Sequence, residues 1–343
     1  MRGNGPTPTK HGLRAWLAML ALLLLIAFEA RASQDSSSNQ TTVIIVVGAA
    51  GEAEFGTNFV RQATLWERAC QQAGCREITL GLDAASQTND FENLKQALAS
   101  EPKTGADELW LVLIGHGTFD GKEARFNLRG PDVSASDLTL WLQPFHRPLA
   151  VINTASSSAP FLNLLSATNR VVITATRSGH EQNFARFGQY LAETITDPQA
   201  DLDKDGQVSL LEAFLMASRR TSEFYKVQDR IITEHALLDD SGDGLGTPAD
   251  WFRGLRAIKR PKEDAPVDGL LARQFHLLRS PEEQQLSADQ RARRDELERA
   301  VHRHREKKER MTEKDYYREL EKLVLELARI SGTNPAPAEG GSK

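Results

Sequence analysis

The chain has 343 residues, 40% of them hydrophobic and 26% charged, an ordinary globular composition with enough length to bury one or two cores. Its formal net charge is −5. The global basic surplus that marks nucleic-acid binding is missing, so no nucleic-acid partner is expected.

Arg2, Lys10 and Arg14 precede an apolar run over residues 15–28, and Ala30-Arg31-Ala32 follows as a small-x-small cleavage pattern. Residues 1–32 therefore read as an export signal, with the mature chain starting at Ser33. The run is short of the about 20 residues a membrane span needs; the alternative is an uncleaved anchor over residues 13–28. Either way the folded part is expected outside the cytoplasm, in the periplasm or beyond it, touching a membrane only through this segment. Residues 33–41, rich in Ser and Gln, are a solvated linker.

The run Thr-Val-Ile-Ile-Val-Val over 42–47 is a β-branched, buried strand. Helical spacing follows over 57–73 in Phe59, Ala63, Trp66 and Cys70. Cys70 and Cys75 fall near the end of that helix, where Gly74 lets it stop between them. A small local disulfide and a pair of half-buried thiols both fit. A strand over 77–82 and a helix over 90–98 come next, then six apolar residues, Leu-Trp-Leu-Val-Leu-Ile, over 109–114. That run reads as the central strand of a parallel sheet, buried on both faces. A short strand over 124–128, a helix over 134–142 capped by Ser134 or Ser136, strands over 149–153 and 170–175, and a helix over 183–195 complete the pattern. Strands alternating with helices at this spacing predict a three-layer α/β/α sandwich with a mostly parallel sheet over residues 42–196.

The central strand stops at Gly115-His116-Gly117, and the 149–153 strand stops at Thr154-Ala155-Ser156-Ser157-Ser158-Ala159. Both sites lie at the carboxyl ends of neighbouring parallel strands, where open α/β sheets place their ligands. A base after one strand and a nucleophile after the next is the layout of a two-residue catalytic centre. In such a centre His116 is the general base, Ser156 attacks an acyl carbon, and the N–H groups of Gly117 and Ser156 hold the oxyanion.

These residues resemble the legumain and caspase clan of cysteine peptidases over about residues 41–196. The likeness rests on His116-Gly117 after a hydrophobic strand and on the small-residue turn after the next strand. It implies a caspase-like fold. In the clan that turn is of the Ala-Cys-x-Ser-Gly type, with the cysteine as nucleophile; here Ser156 stands in the cysteine position and Ala159 in the glycine position. Serine needs a base that is itself oriented by a third group, and no Asp or Glu is assignable to orient His116. The expectation is a catalytically inactive relative that binds a protein or peptide partner, with a peptidase using Ser156 and His116 as the alternative.

The next motif is the sharpest in the chain. Asp201, Asp203, Asp205, Gln207, Ser209 and Glu212 occupy positions 1, 3, 5, 7, 9 and 12 of an EF-hand calcium loop, with Gly206 at the sharp turn and apolar Val208 at position 8. Pro198 interrupts the incoming helix, while the exiting helix over 210–222 is sound. The arrangement resembles dockerin-like calcium modules, one loop followed by one helix. A weaker second loop carries Asp239, Ser241, Asp243 and Leu245, with Gly246 at position 8 and Asp250 in the closing place. Ca2+ is the expected cofactor, clamping a subdomain over residues 197–260.

Residues 284–314 are dense in Arg, Glu and Lys, and Leu320, Leu323, Leu327 and Ile330 recur at helical spacing. Two or three long helices are expected over 261–332, among them an antiparallel coiled-coil pair, with Ser287 and Thr312 as caps. His302 and His304 point to different helix faces and make no metal site. The helical end is a third candidate for the functional surface. Residues 333–343 read as a flexible tail.

Overall fold

The computed structural model describes residues 40–82, 89–263, 265–330 and 332. The expected export segment, the linker as far as residue 39 and the tail from residue 333 lie outside the described residues. Among the described residues no helix is long and apolar enough to cross a membrane.

In chain order the elements are β1 (Thr42–Val47), α1 (Ala53–Ala73), β2 (Arg76–Leu80), α2 (Asp90–Ser100), β3 (Leu109–Ile114), β4 (Gly117–Phe119), β5 (Ala124–Phe126) and β6 (Val133–Ser134). Then come α3 (Ala135–Leu142), β7 (Leu149–Asn153), α4 (Ala159–Leu165), β8 (Arg170–Thr174), α5 (Phe187–Thr194), α6 (Leu210–Val227), β9 (Leu237–Asp239) and β10 (Thr247–Pro248). The chain ends in α7 (Pro281–Gln285), α8 (Ala288–Glu306) and α9 (Glu313–Ile330).

The main sheet has the order β10-β9-β8-β7-β3-β1-β2, parallel from β2 through β8, with β9 antiparallel to β8 and β10 antiparallel to β9. Every residue of β1, β3, β7 and β8 is buried, as expected of strands covered on both faces. Alternation then divides the core in two. Val43, Ile45, Trp110, Val112, Ile152 and Ile173 pack with Phe59, Trp66, Phe187 and Phe214 from α1, α5 and α6. Ile44, Val46, Leu111, Leu113, Val151 and Val172 pack with Leu94, Leu138 and Phe161 from α2, α3 and α4. This is the α/β/α sandwich with a mostly parallel sheet that the sequence predicts.

Several local expectations are met by hydrogen bonds. Ser134 caps α3 in a reciprocal box with Asp137, Ser287 caps α8 with Gln290, and Thr312 exchanges bonds with Asp315. α5 begins at residue 187 rather than 183, where Glu234 accepts the N–H groups of Arg186 and Phe187. The short α4 and the strands β9 and β10 were not expected; α4 ends beside α3, and the buried Arg170 guanidinium donates to the last carbonyl of each, Leu142 and Leu165. Contacts gather the described residues from Thr41 onward into one unit. Leu210, Phe214, Leu238 and Phe275 accordingly share the core of the β1–β8 sheet. α8 and α9 run antiparallel, tied by Arg293 to Glu326 at 2.7 Å and by the His304 ring stacked on Tyr316 at 4.8 Å.

Candidate functional site

The end of β3 turns sharply because two glycines let other chains come close. A Cβ on Gly115 would meet Phe126 and Gly48, and one on Gly117 would lie 2.3 Å from the Ser156 carbonyl oxygen. Between them His116 is half-buried, with its ring walled by Phe55, Phe59 and Phe184 at centroid distances of 4.8, 5.1 and 6.1 Å. Its Nε2 lies 3.3 Å from the Ala50 carbonyl oxygen. Burial holds the imidazole below its ordinary pKa, which favours the neutral ring. Among the described residues no carboxylate hydrogen-bonds it.

The turn after β7 brings Ser156 to the Gly117 backbone as the sequence layout requires. The Ser156 hydroxyl donates to the Gly117 carbonyl oxygen at 3.1 Å and accepts the Gly117 N–H at 3.3 Å. It is therefore engaged beside His116 and not by it, and the N–H assigned to an oxyanion is filled by the hydroxyl assigned to attack. Ser157 takes φ +55, a strained value for a residue with a Cβ, and its buried Oγ finds no partner among the described residues. The Ser158 hydroxyl accepts the N–H groups of Ala175 and Thr176, tying the turn to the end of β8. A carboxylate-oriented histidine does exist elsewhere: His235 Nδ1 meets Glu181 Oε1 at 2.5 Å and lines a cavity of about 180 Å³ with Phe187, Ser218 and Ile232.

The acidic loops lie between α5 and α6 and between β9 and β10. A 3-10 turn over Pro198–Ala200 replaces the incoming helix of the first loop, and α6 leaves it. Carboxylate oxygens of Asp201, Asp203 and Asp205 lie within 4.8 Å of one another. Asp201 accepts the N–H groups of Lys204 and Gly206, at positions 4 and 6, which both take left-handed φ, +62 and +87. Asp205 accepts the N–H of Gln207. Buried Glu212 reaches back across the loop: one oxygen accepts the N–H of Leu202 and Asp203, positions 2 and 3, and the other accepts the N–H and hydroxyl of Ser209, position 9. Two cations stand close to this cluster: Arg273, 2.9 Å from the Asp203 carboxylate, and Lys204, whose ammonium donates to the Asp201 carbonyl oxygen.

The second loop repeats this pattern. Asp239 accepts the N–H groups of Gly242 and Gly244, positions 4 and 6, with φ +83 and +73, and Asp243 accepts that of Leu245. Ser241 at position 3 donates both its N–H and its hydroxyl to Asp239. The closing carboxylate differs from the expected one. Asp250 is exposed in the middle of a 3-10 turn over Ala249–Trp251. Asp268 instead accepts the N–H groups of Asp240 and Ser241, positions 2 and 3, and the hydroxyl of Thr247, position 9. It meets the same three loop positions that Glu212 meets in the first loop. Asp240 fixes the segment that delivers it, accepting the N–H groups of Gly269, Leu271 and Ala272. Burial pushes Asp240 up to about 6, and burial with the neighbouring Asp240 pushes Asp268 up to about 8. Asp268 is outside any twelve-residue spacing; the turn dipeptide Asp268-Gly269 is its one local signal.

No family model and no curated protein matches the chain. Among solved structures it is similar to the initiator caspase Dronc of Drosophila, at 14% identity over 61% of this chain and 82% of that one, with a TM-score of 0.41. It is also similar to caspase-1 from Spodoptera frugiperda, at 11% identity over 59% of this chain and 86% of that one, with a TM-score of 0.38.

Proposed function

We propose that this chain is an exported, calcium-binding module of caspase-like fold whose strand-end edge serves as a non-hydrolytic surface for a protein or peptide partner. The observation that carries the reading is the shared hydrogen-bond pattern of the two acidic loops, one closed by Glu212 and the other by Asp268. Calcium takes six or more oxygens, with carboxylates at positions 1, 3 and 5, a carbonyl at 7 and a closing acid. The first loop offers Asp201, Asp203, Asp205, the Gln207 carbonyl, Ser209 and Glu212. The second offers Asp239, Ser241, Asp243, the Leu245 carbonyl and Asp268. Three carboxylates within 4.8 Å repel one another, and a bound divalent cation would relieve that repulsion.

The inactive half of the reading is supported by the serine turn. An attacking hydroxyl needs a base within hydrogen-bond reach, and Ser156 is bonded to backbone on both sides. The test is cleavage of a mixed peptide pool by the fragment from residue 33 to 343, with and without calcium, beside Ser156→Ala and His116→Ala. The expected result is no cleavage above buffer in any sample. Calcium-dependent cleavage lost in both variants overturns the reading in favour of a serine peptidase built on His116 and Ser156. Export rests on residues 1–32, and amino-terminal sequencing of the secreted product should begin at Ser33.

A further inference from the structure

The carboxyl end of α1 is a Schellman motif. Gly74 takes φ +64, its N–H donates to the Gln71 carbonyl at 3.3 Å, and the Cys75 N–H donates to the Cys70 carbonyl at 3.1 Å. This pair of bonds determines which side chains meet across a helix end: the residue whose carbonyl accepts the longer-range bond and the residue after the glycine. In most helices that contact is between two hydrophobic groups. Here both are cysteines. Cys70 is 1% exposed and packed in the core under α1, whereas Cys75 is half-buried, with its Sγ 3.6 Å from the Cys70 carbonyl oxygen.

Neighbouring Cys70 holds the Cys75 thiol below the ordinary range, against the opposing pull of burial and of the Glu77 carboxylate, while Cys75 and burial push Cys70 well above that range. Among the described residues no His, Asp or Glu joins the sulfurs in a set tight enough to share a metal ion. β2 begins at the next residue, Arg76, on the edge of the main sheet.

We propose that Cys70 and Cys75 are a reversible dithiol–disulfide pair, closed by exchange with a low-molecular-weight disulfide, that fastens the edge strand β2 to the end of α1. The Cys75 thiolate attacks one sulfur of the small disulfide, breaking its S–S bond and forming a mixed disulfide; the released thiolate takes up a proton. Cys70 then gives up its proton and displaces the second small thiol from Cys75. In sum the two protein thiols lose two electrons and two protons, and one small disulfide becomes two small thiols. Exposure assigns the roles: Cys75 attacks because reagents reach it, and Cys70 resolves because the helix-end turn sets Cys75 Sγ 3.6 Å from the Cys70 carbonyl oxygen. An edge strand carries unpaired backbone groups on one side, and a covalent tie at the residue just before it opposes fraying and pairing with other chains.

The test is equilibration of the folded full-length protein with excess oxidised glutathione, followed by mass analysis. The expected wild-type product has lost both thiols together, carries no glutathione, yields a peptide linking Cys70 to Cys75, and regains both thiols with dithiothreitol. Cys70→Ser should keep one glutathione on Cys75. Glutathione persisting on wild-type Cys75, or both thiols still free after equilibration, overturns the proposal. The wild-type result decides the matter even if Cys70→Ser does not fold.

Discussion

At the ends of β3 and β7, one imidazole and three serine hydroxyls meet across two strands, and the fold has used them up: Ser156 on the Gly117 backbone, Ser158 on the end of β8, Ser157 sealed inside, His116 against aromatic rings. In the loops at 201–212 and 239–247, carboxylates converge instead, and the first loop keeps three of them within 4.8 Å, with Arg273 and Lys204 adjoining. The first region is neutral, with the Ser156 and Ser158 hydroxyls taken up by backbone. The second concentrates negative charge that a bound cation would balance. Proximity of reactive residue types is thus a poor guide to chemistry until each polar atom is followed to its partner.

The largest expected effect that sharpens this contrast is in acid. His276 is buried beside the segment that carries Arg273, and burial holds it down to about 4 from 6.5. A histidine with a lowered folded pKa contributes stability that is complete above pH 6.5 and is lost as pH falls toward 4, here about 3 kcal/mol. Urea unfolding between pH 7 and 4 should show this loss as the difference between the wild type and His276→Gln, because the raised carboxyls of Asp240, Asp268 and Glu108 act in the opposite direction in both proteins. Next, calcium about 100-fold above its Kd should stabilise the chain by about 2.7 kcal/mol per site. Asp205→Ala should remove the first loop's share, read as the calcium-dependent change in melting temperature.

Asp268→Asn comes third. It exchanges one of the two carboxyl oxygens for an N–H donor, so either the Asp240 and Ser241 N–H groups or the buried Thr247 hydroxyl loses its acceptor, costing about 1 kcal/mol in denaturant unfolding. If Asp250 rather than Asp268 closes the loop, Asp250→Asn will show the calcium defect and Asp268→Asn will not. The smallest effect lies at the strand-end edge. Ser157→Gly relieves the positive φ and deletes an orphaned hydroxyl, so it should stabilise by about 1 kcal/mol, whereas a serine needed for hydrolysis would be missed in the peptide assay.

The parallel sheet was legible because its strands are continuous apolar runs, and the acidic cluster of the 201–212 loop because its carboxylates lie close together in sequence. β9 and β10 were not, since strands of three and two residues carry no periodicity. α4 was hidden for a related reason: seven mostly apolar residues opening on Ala159-Pro160 read equally well as turn or strand. Asp268 escaped because its partners are distant in sequence and are reached only through the Asp240 bonds to residues 269–272. The identity of Ser156 could be read, but its two bonds to Gly117 could not; they depend on a backbone approach set by tertiary packing.

The most direct test of the account is calorimetric titration of the metal-stripped chain with calcium, beside Asp205→Ala and Asp268→Asn. The account predicts two bound ions in the wild type and one in each variant. A wild-type chain that takes up no calcium, or variants that bind as the wild type does, would contradict it.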